Sequence, residues 1–249
     1  MISDWPVIKR ADVELPTPSE QAKAIWSTLI ELTEIRPGSW TLIGGQMVLL
    51  HAAENSRTPP RVSLDLDILV NAHLVTPAVP DFVLAVEERG FELQGATPSG
   101  IAHRYVRDGV SIDILAPEGL GPRTNTTTTP PGRTVEVPGG TQALTRTELI
   151  PIRTGDLFGL VPRPSLLGAL IAKAIAVDVD GAPGAQREDF VFLLSLVSDP
   201  LDMSGQLTRK DLLRLRSRTE LDDRDHLAWS SLEPGVREAA RAALRILIA

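Results

Sequence analysis

Residues 62–70 read VSLDLDILV, and the alternation in this stretch sets the reading of the whole chain. On an extended strand successive side chains point to opposite faces. Val62, Leu64, Leu66 and Ile68 therefore fall on one face, and Ser63, Asp65 and Asp67 on the other. Two carboxylates at i and i+2 stand about 7 Å apart at the backbone by the strand rise, and their tips can converge on a hard cation, which wants oxygen ligands. The D-x-D spacing alone says little, because it recurs at Asp178-Val-Asp180 and Asp223-Arg-Asp225, both read as solvated loop charges. An apolar strand beneath Asp65 and Asp67 sets them apart. The competing reading is an ordinary amphipathic edge strand with a polar solvent face.

Working outward, residues 110–115 (VSIDIL) repeat the S-x-D alternation and put Asp113 on one face of a second strand. Residues 102–106 pair with it in a predicted hairpin turning at Asp108-Gly109, a strong turn dipeptide. If the two Asp-bearing strands are neighbours, Asp65, Asp67 and Asp113 share one site. Upstream, the apolar run 40–43 reads as a strand ended by Gly44-Gly45, and 46–53 as a helix. Glycines let backbone approach a ligand closely, and the free N–H groups of a helix start favour phosphate oxygens. A lone Gly-Gly is equally a tight turn.

The rest of the chain supplies the frame. Residues 1–17 read as a polar, proline-bearing arm. Ser19 reads as the N-cap of a helix with Ile25, Trp26, Leu29, Ile30 and Leu32 on its apolar side, broken at 36–39. Residues 54–60 read as a loop, 80–89 as a helix and 91–93 as an edge segment. Residues 116–140, rich in Pro, Thr and Gly, read as a long mobile loop of the kind that often carries function. Helical patterns follow at 165–177, 186–197, 208–217 and 233–248. The expected organisation is an α/β unit over 1–155 and a helical unit over 156–249 that completes the ligand site.

Composition narrows the class. A hydrophobic fraction of 43% with 23% charged residues argues against disorder. No apolar run reaches the roughly 20 residues of a membrane span, and MISDWPVIKR lacks leader features. A cytoplasmic protein with no membrane partner is the expectation. The net charge of -7 argues against a broad nucleic-acid-coating surface. The absence of cysteine excludes disulfides, thiolate-zinc sites and cysteine nucleophiles. Lys173 is the only charge in the apolar helix 165–177. It reads either as a cation reaching phosphate or as a snorkelling lysine at the helix edge.

Gly44-Gly45, His51 and Arg61-x-Ser63-x-Asp65-x-Asp67 together resemble the nucleotidyltransferase superfamily, and within it the AbiEii/AbiGii-like toxin nucleotidyltransferases of toxin–antitoxin and phage-defence systems. Lys173 and Asp189 match a helical lysine and an Arg-x-x-Asp-like motif of that branch, the latter approximately, since this chain reads Arg187-Glu188-Asp189. The resemblance covers 40–70 well, 110–115 and 165–197 moderately, and the last fifty residues not at all. It implies a polymerase-beta-like mixed sheet flanked by helices, followed by a helical C-terminal region. It also implies a Mg²⁺- or Mn²⁺-dependent transfer of a nucleoside monophosphate from an NTP to an acceptor hydroxyl, such as a tRNA 3′ end, and a cognate antitoxin as partner. In that scheme Asp65, Asp67 and Asp113 hold metal, the trio being able to take two ions, and Asp113 helps deprotonate or orient the acceptor hydroxyl. Gly44, Gly45, Arg61, Ser63 and Lys173 face the nucleotide, Asp189 supports Lys173, and His51 is helix packing. The basic run Arg209–Arg218 is either a phosphate-backbone patch or a solvated helix face.

Two rival readings stand beside this one. A small-molecule, antibiotic-type nucleotidyltransferase would need an acidic or aromatic acceptor pocket, yet only five Phe, four Trp and one Tyr are present. A non-catalytic nucleotide-binding interaction protein would not need all three carboxylates.

Overall fold

The computed structural model describes residues 5–15, 19–73, 77–179 and 181–249. In chain order the elements are β1 (Val13–Glu14), α1 (Glu20–Ile35), β2 (Trp40–Ile43), α2 (Gly44–Glu54), β3 (Asp65–Val70), α3 (Ala78–Glu87), β4 (Glu92–Leu93), β5 (Arg104–Arg107) and β6 (Val110–Pro117). They continue with β7 (Val135–Val137), α4 (Gly140–Thr145), β8 (Thr147–Thr154), β9 (Leu157–Pro164), α5 (Leu166–Val179), α6 (Pro183–Leu194), α7 (Pro200–Gly205), α8 (Arg209–Arg216) and α9 (Pro234–Ile248). The larger sheet runs β2-β3-β6-β5-β4, with β7 alongside the end of β6. β3 lies antiparallel to β2 and parallel to β6, in a register that sets Asp67 level with Asp113. The smaller sheet runs β1-β8-β9. This is the mixed α/β architecture with helical flanks and a helical C-terminal region that was expected.

Local chemistry accounts for the elements around the site. Ser19 caps α1 by accepting a hydrogen bond from the Ala22 N–H, which satisfies one otherwise orphaned helix-start donor. The apolar side of α1 (Ile25, Trp26, Leu29, Leu32) is buried. β2, β3 and β6 contribute Leu42, Leu66, Ile68, Ile112 and Ile114, all fully buried, each worth about 1.5–3 kcal/mol of burial. The same contiguous core takes in Val13, Ile150, Ile152 and Val161 of the smaller sheet and Leu170, Phe190 and Leu244 of the C-terminal helices.

Several expectations shift. Pairing of the carboxylate strand begins at Asp65, so 62–64 precede it, and Val62 (73%) and Leu64 (48%) are exposed rather than buried. The cause is topological: β2 passes into α2 at Gly44, and the last β2 residue, Ile43, is already opposite Asp67. Nothing from β2 reaches the residues ahead of Asp65. The 116–140 segment is tied down. β7 pairs β6, Thr134 is buried and donates to the Ile114 carbonyl, and the Tyr105 and Thr129 hydroxyls are 2.9 Å apart. Residues 140–164 form α4 and the β8–β9 hairpin, which no periodic pattern in the sequence announces. Position 155 falls in the turn of that hairpin, whose strands pair from Thr147↔Pro164 to Thr154↔Leu157. Of the expected N-terminal arm, residues 5–15 carry β1, while 1–4 and 16–17 lie outside the described residues. No helix among the described residues is long and apolar enough to cross a membrane.

Candidate functional site

β3 and β6 deliver their carboxylates to one cleft of about 560 Å³, lined by Gly44, Gly45, Arg61, Ser63, Asp65, Asp67, Arg104, Asp113, Lys173 and Gln186 among others. Asp65 is half exposed at the rim. Asp67 sits deeper and is partly exposed. Its carboxyl is pushed up to about 7, chiefly by burial, then by the charges of Asp113 and Asp65, against the opposing pull of Lys173 and Arg104. Among the described residues no hydrogen bond engages it. Burial and like charges both disfavour the ionised form, and a bound cation would reverse that balance.

The Gly44-Gly45 pair is needed by the carboxylate strand itself. Gly44 has φ +68°, in the left-handed region that favours glycine. A β-carbon on Gly45 would lie 2.4 Å from Ser63 Cβ. α2 starts at this junction with no side-chain cap, and its residues Gly44, Gly45 and Met47 line the cleft, where uncapped helix-start N–H groups favour phosphate oxygens. Gln46, buried in the first turn, donates to the Ser63 carbonyl and holds the strand entry against the helix.

α5 and α6 form another wall. Lys173 is buried, with Nζ 2.8 Å from Asp189 Oδ2 and 2.8 Å from Gln186 Oε1. Asp189 is also buried and accepts a two-pronged pair from Arg61, Nε to Oδ1 at 3.1 Å and Nη2 to Oδ2 at 2.5 Å. One carboxylate thus joins a residue preceding β3 to α5 through α6. α6 starts at Pro183, so Asp189 lies beyond its first turn.

Arg104 was not singled out in the sequence, yet it stands between the carboxylates. It donates from Nε to Asp113 Oδ1 at 2.7 Å and from Nη2 to Oδ2 at 2.6 Å, with Nη2 3.7 Å from Asp65 Oδ2. Its pKa is pushed above the ordinary value by the Asp113 hydrogen bond, against burial, with the charges of Asp113, Asp65 and Asp67 adding to it. Among the described residues no group of three or more Asp, Glu, His or Cys is arranged to hold a metal ion. The carboxylates that could hold a divalent ion such as Mg²⁺ are Asp65 and Asp67, since this ion takes one or two carboxylates and completes its shell with water and substrate phosphates.

Other singled-out residues lie away from this chemistry. His51 is buried, its Nε2 3.1 Å from the Pro164 carbonyl, and burial followed by the Arg163 charge lowers its pKa well below the ordinary value. In the basic run, Arg216 donates to the Ile248 and Ala249 carbonyls and Arg218 is buried against Asp178. Arg209 and Lys210 remain exposed. Asp178 therefore ends α5 in an ion pair rather than in a solvated loop, Asp180 lies outside the described residues, and Asp223 and Asp225 are exposed.

No protein-family model matches the sequence, and no curated protein matches it. Among solved structures the chain is similar to an antigenic nucleotidyltransferase-like protein from Paracoccidioides brasiliensis, at TM-score 0.54 and 14% identity, over 92% of this chain and 95% of that one. The likeness is one of fold, and it gives this chain a nucleotidyltransferase-like architecture. It does not extend to the AbiEii/AbiGii-like branch.

Proposed function

We propose that this chain is a nucleotidyltransferase that moves a nucleoside monophosphate from an NTP to an acceptor hydroxyl. One observation carries the reading: a single cleft combines two strand-borne carboxylates, an uncapped helix start and a buried lysine. Asp65 and Asp67 would hold Mg²⁺ or Mn²⁺, which when bound shields the triphosphate charge. The α2 amides after Gly44 face the phosphates, and Lys173 and Arg61 supply positive charge as negative charge builds on the leaving group. Asp113, fixed by Arg104, orients the acceptor hydroxyl. The acceptor oxygen forms a bond to the α-phosphorus, the bond to the β-phosphate oxygen breaks, and pyrophosphate leaves. The hydroxyl proton passes to a carboxylate of the strand edge.

The finer reading follows the motif resemblance: an AbiEii-like toxin with a tRNA 3′ end as acceptor and a cognate antitoxin. The test is incubation with Mg²⁺, each α-³²P-labelled NTP in turn and total bacterial RNA, beside an Asp65→Ala/Asp67→Ala control. Label in tRNA-sized RNA only with the intact chain is the expected result. Label moving to small molecules alone would replace the RNA acceptor by a small one. No metal-dependent turnover with any NTP or acceptor would sink the enzyme reading.

A further inference from the structure

The Arg104–Asp113 pair follows from the fold. The two-residue turn at Asp108-Gly109 sets Arg107 opposite Val110 and hence Arg104 opposite Asp113. Both side chains emerge on the cleft side, where Asp67 is level with Asp113 on the next strand. Each Asp113 oxygen accepts one guanidinium hydrogen bond, and the Nη2 that serves Asp113 Oδ2 also lies 3.7 Å from Asp65 Oδ2. A planar, permanently charged fork on a carboxylate is the strong form of such a pair. Asp113 is nearly buried, so its partner cannot easily be exchanged for water.

Charge in the cleft supports the same view. Asp65, Asp67, Asp113 and Asp189 face Arg61, Arg104 and Lys173, and Arg61 and Lys173 are both within reach of Asp189. The carboxylates with no basic side chain in hydrogen-bonding contact are Asp65 and Asp67 alone, matching the lack of any three-ligand group among the described residues.

Resting on the nucleotidyltransferase reading above, we propose that Arg104 takes the place of a second divalent ion. The site then binds one ion, on Asp65 and Asp67, and the guanidinium is the second positive centre beside Asp113. Arg104 is a positioning residue: it keeps Asp113 oriented and out of the metal shell.

The test counts ions on the full chain without turnover. Mn²⁺ is titrated in the presence of an α,β-methylene NTP and bound ion is followed by electron paramagnetic resonance. The intact chain binds one Mn²⁺, and Asp65→Asn/Asp67→Asn loses it. Arg104→Gln binds two, and adding Asp113→Asn to that variant returns the count to one. Arg104→Lys, which keeps the charge, stays at one and guards against a folding artefact in Arg104→Gln. Two ions on the intact chain, or one on a folded Arg104→Gln, overturns the proposal while leaving the transferase reading in place. No nucleotide-dependent ion on the intact chain overturns both.

Discussion

Gly44 and Asp67 claim the same space: a β-carbon on Gly44 would lie 1.8 Å from Asp67 Oδ2, 2.6 Å from its Cγ and 2.9 Å from its Cβ. The carboxylate and the glycine therefore form one unit. Gly44→Ala should cost about 1–2 kcal/mol for the left-handed backbone and about 1–3 kcal/mol for displacing a packed side chain. In an Asp67→Gly background only the backbone part should remain. Urea unfolding of the four chains measures this, and equal costs in both backgrounds would disprove the steric link.

Asp189 and Lys173 should respond unequally to substitution. Asp189→Asn leaves a buried ammonium without its counter-charge and should destabilise by about 3–5 kcal/mol. Lys173→Met leaves Asp189 still forked by Arg61, and should cost about 1 kcal/mol or less, because an apolar isostere can replace a buried charge. Denaturant midpoints decide this. Comparable losses would mean that Arg61 does not hold Asp189 alone.

Asp67→Asn should stabilise the ion-free protein in a pH-dependent way. The Asp67 carboxyl is raised from 3.8 to about 7. A raised folded-state value contributes stability that is full below 3.8 and lost as pH climbs through about 7. At pH 8 the wild type thus carries nearly the whole cost, and the variant should gain up to about 4 kcal/mol. At pH 4 the gain should nearly vanish. Thermal melts in chelator at both pH values give the comparison, and a variant no more stable than wild type at pH 8 would contradict the placement of Asp67.

The elements that could be read from the sequence are those whose period is undisturbed. α1 announces itself by Ser19 and a helical apolar stripe, and β3 and β6 by alternation around Asp65, Asp67 and Asp113. The β8–β9 hairpin was hidden because Pro151, Pro162, Pro164 and Gly159 interrupt its pattern, and prolines ordinarily argue against a strand. Pro151 is tolerated because β1 pairs only Ile152 and Arg153 on the far side of β8, and Pro162 and Pro164 because β9 is the edge strand of its sheet. Val62 and Leu64 continue the alternation past the point where a partner strand exists, so periodicity alone overextended the buried face. Arg104 was recoverable: the Asp108-Gly109 turn implies its pairing with Asp113. Gln186 and Gln46 carried no local signal, because the partners Lys173 and Ser63 lie 13 and 17 positions away, outside their own helices.

The core running beneath both sheets and into α5, α6 and α9 has a consequence for how this molecule comes apart. Among the described residues one contiguous buried cluster takes in both sheets and these helices, so heating should dismantle the chain in a single event. Calorimetric and van't Hoff enthalpies should agree, and a chain cut within the β8–β9 turn should yield two fragments that neither melt cooperatively nor keep the cleft.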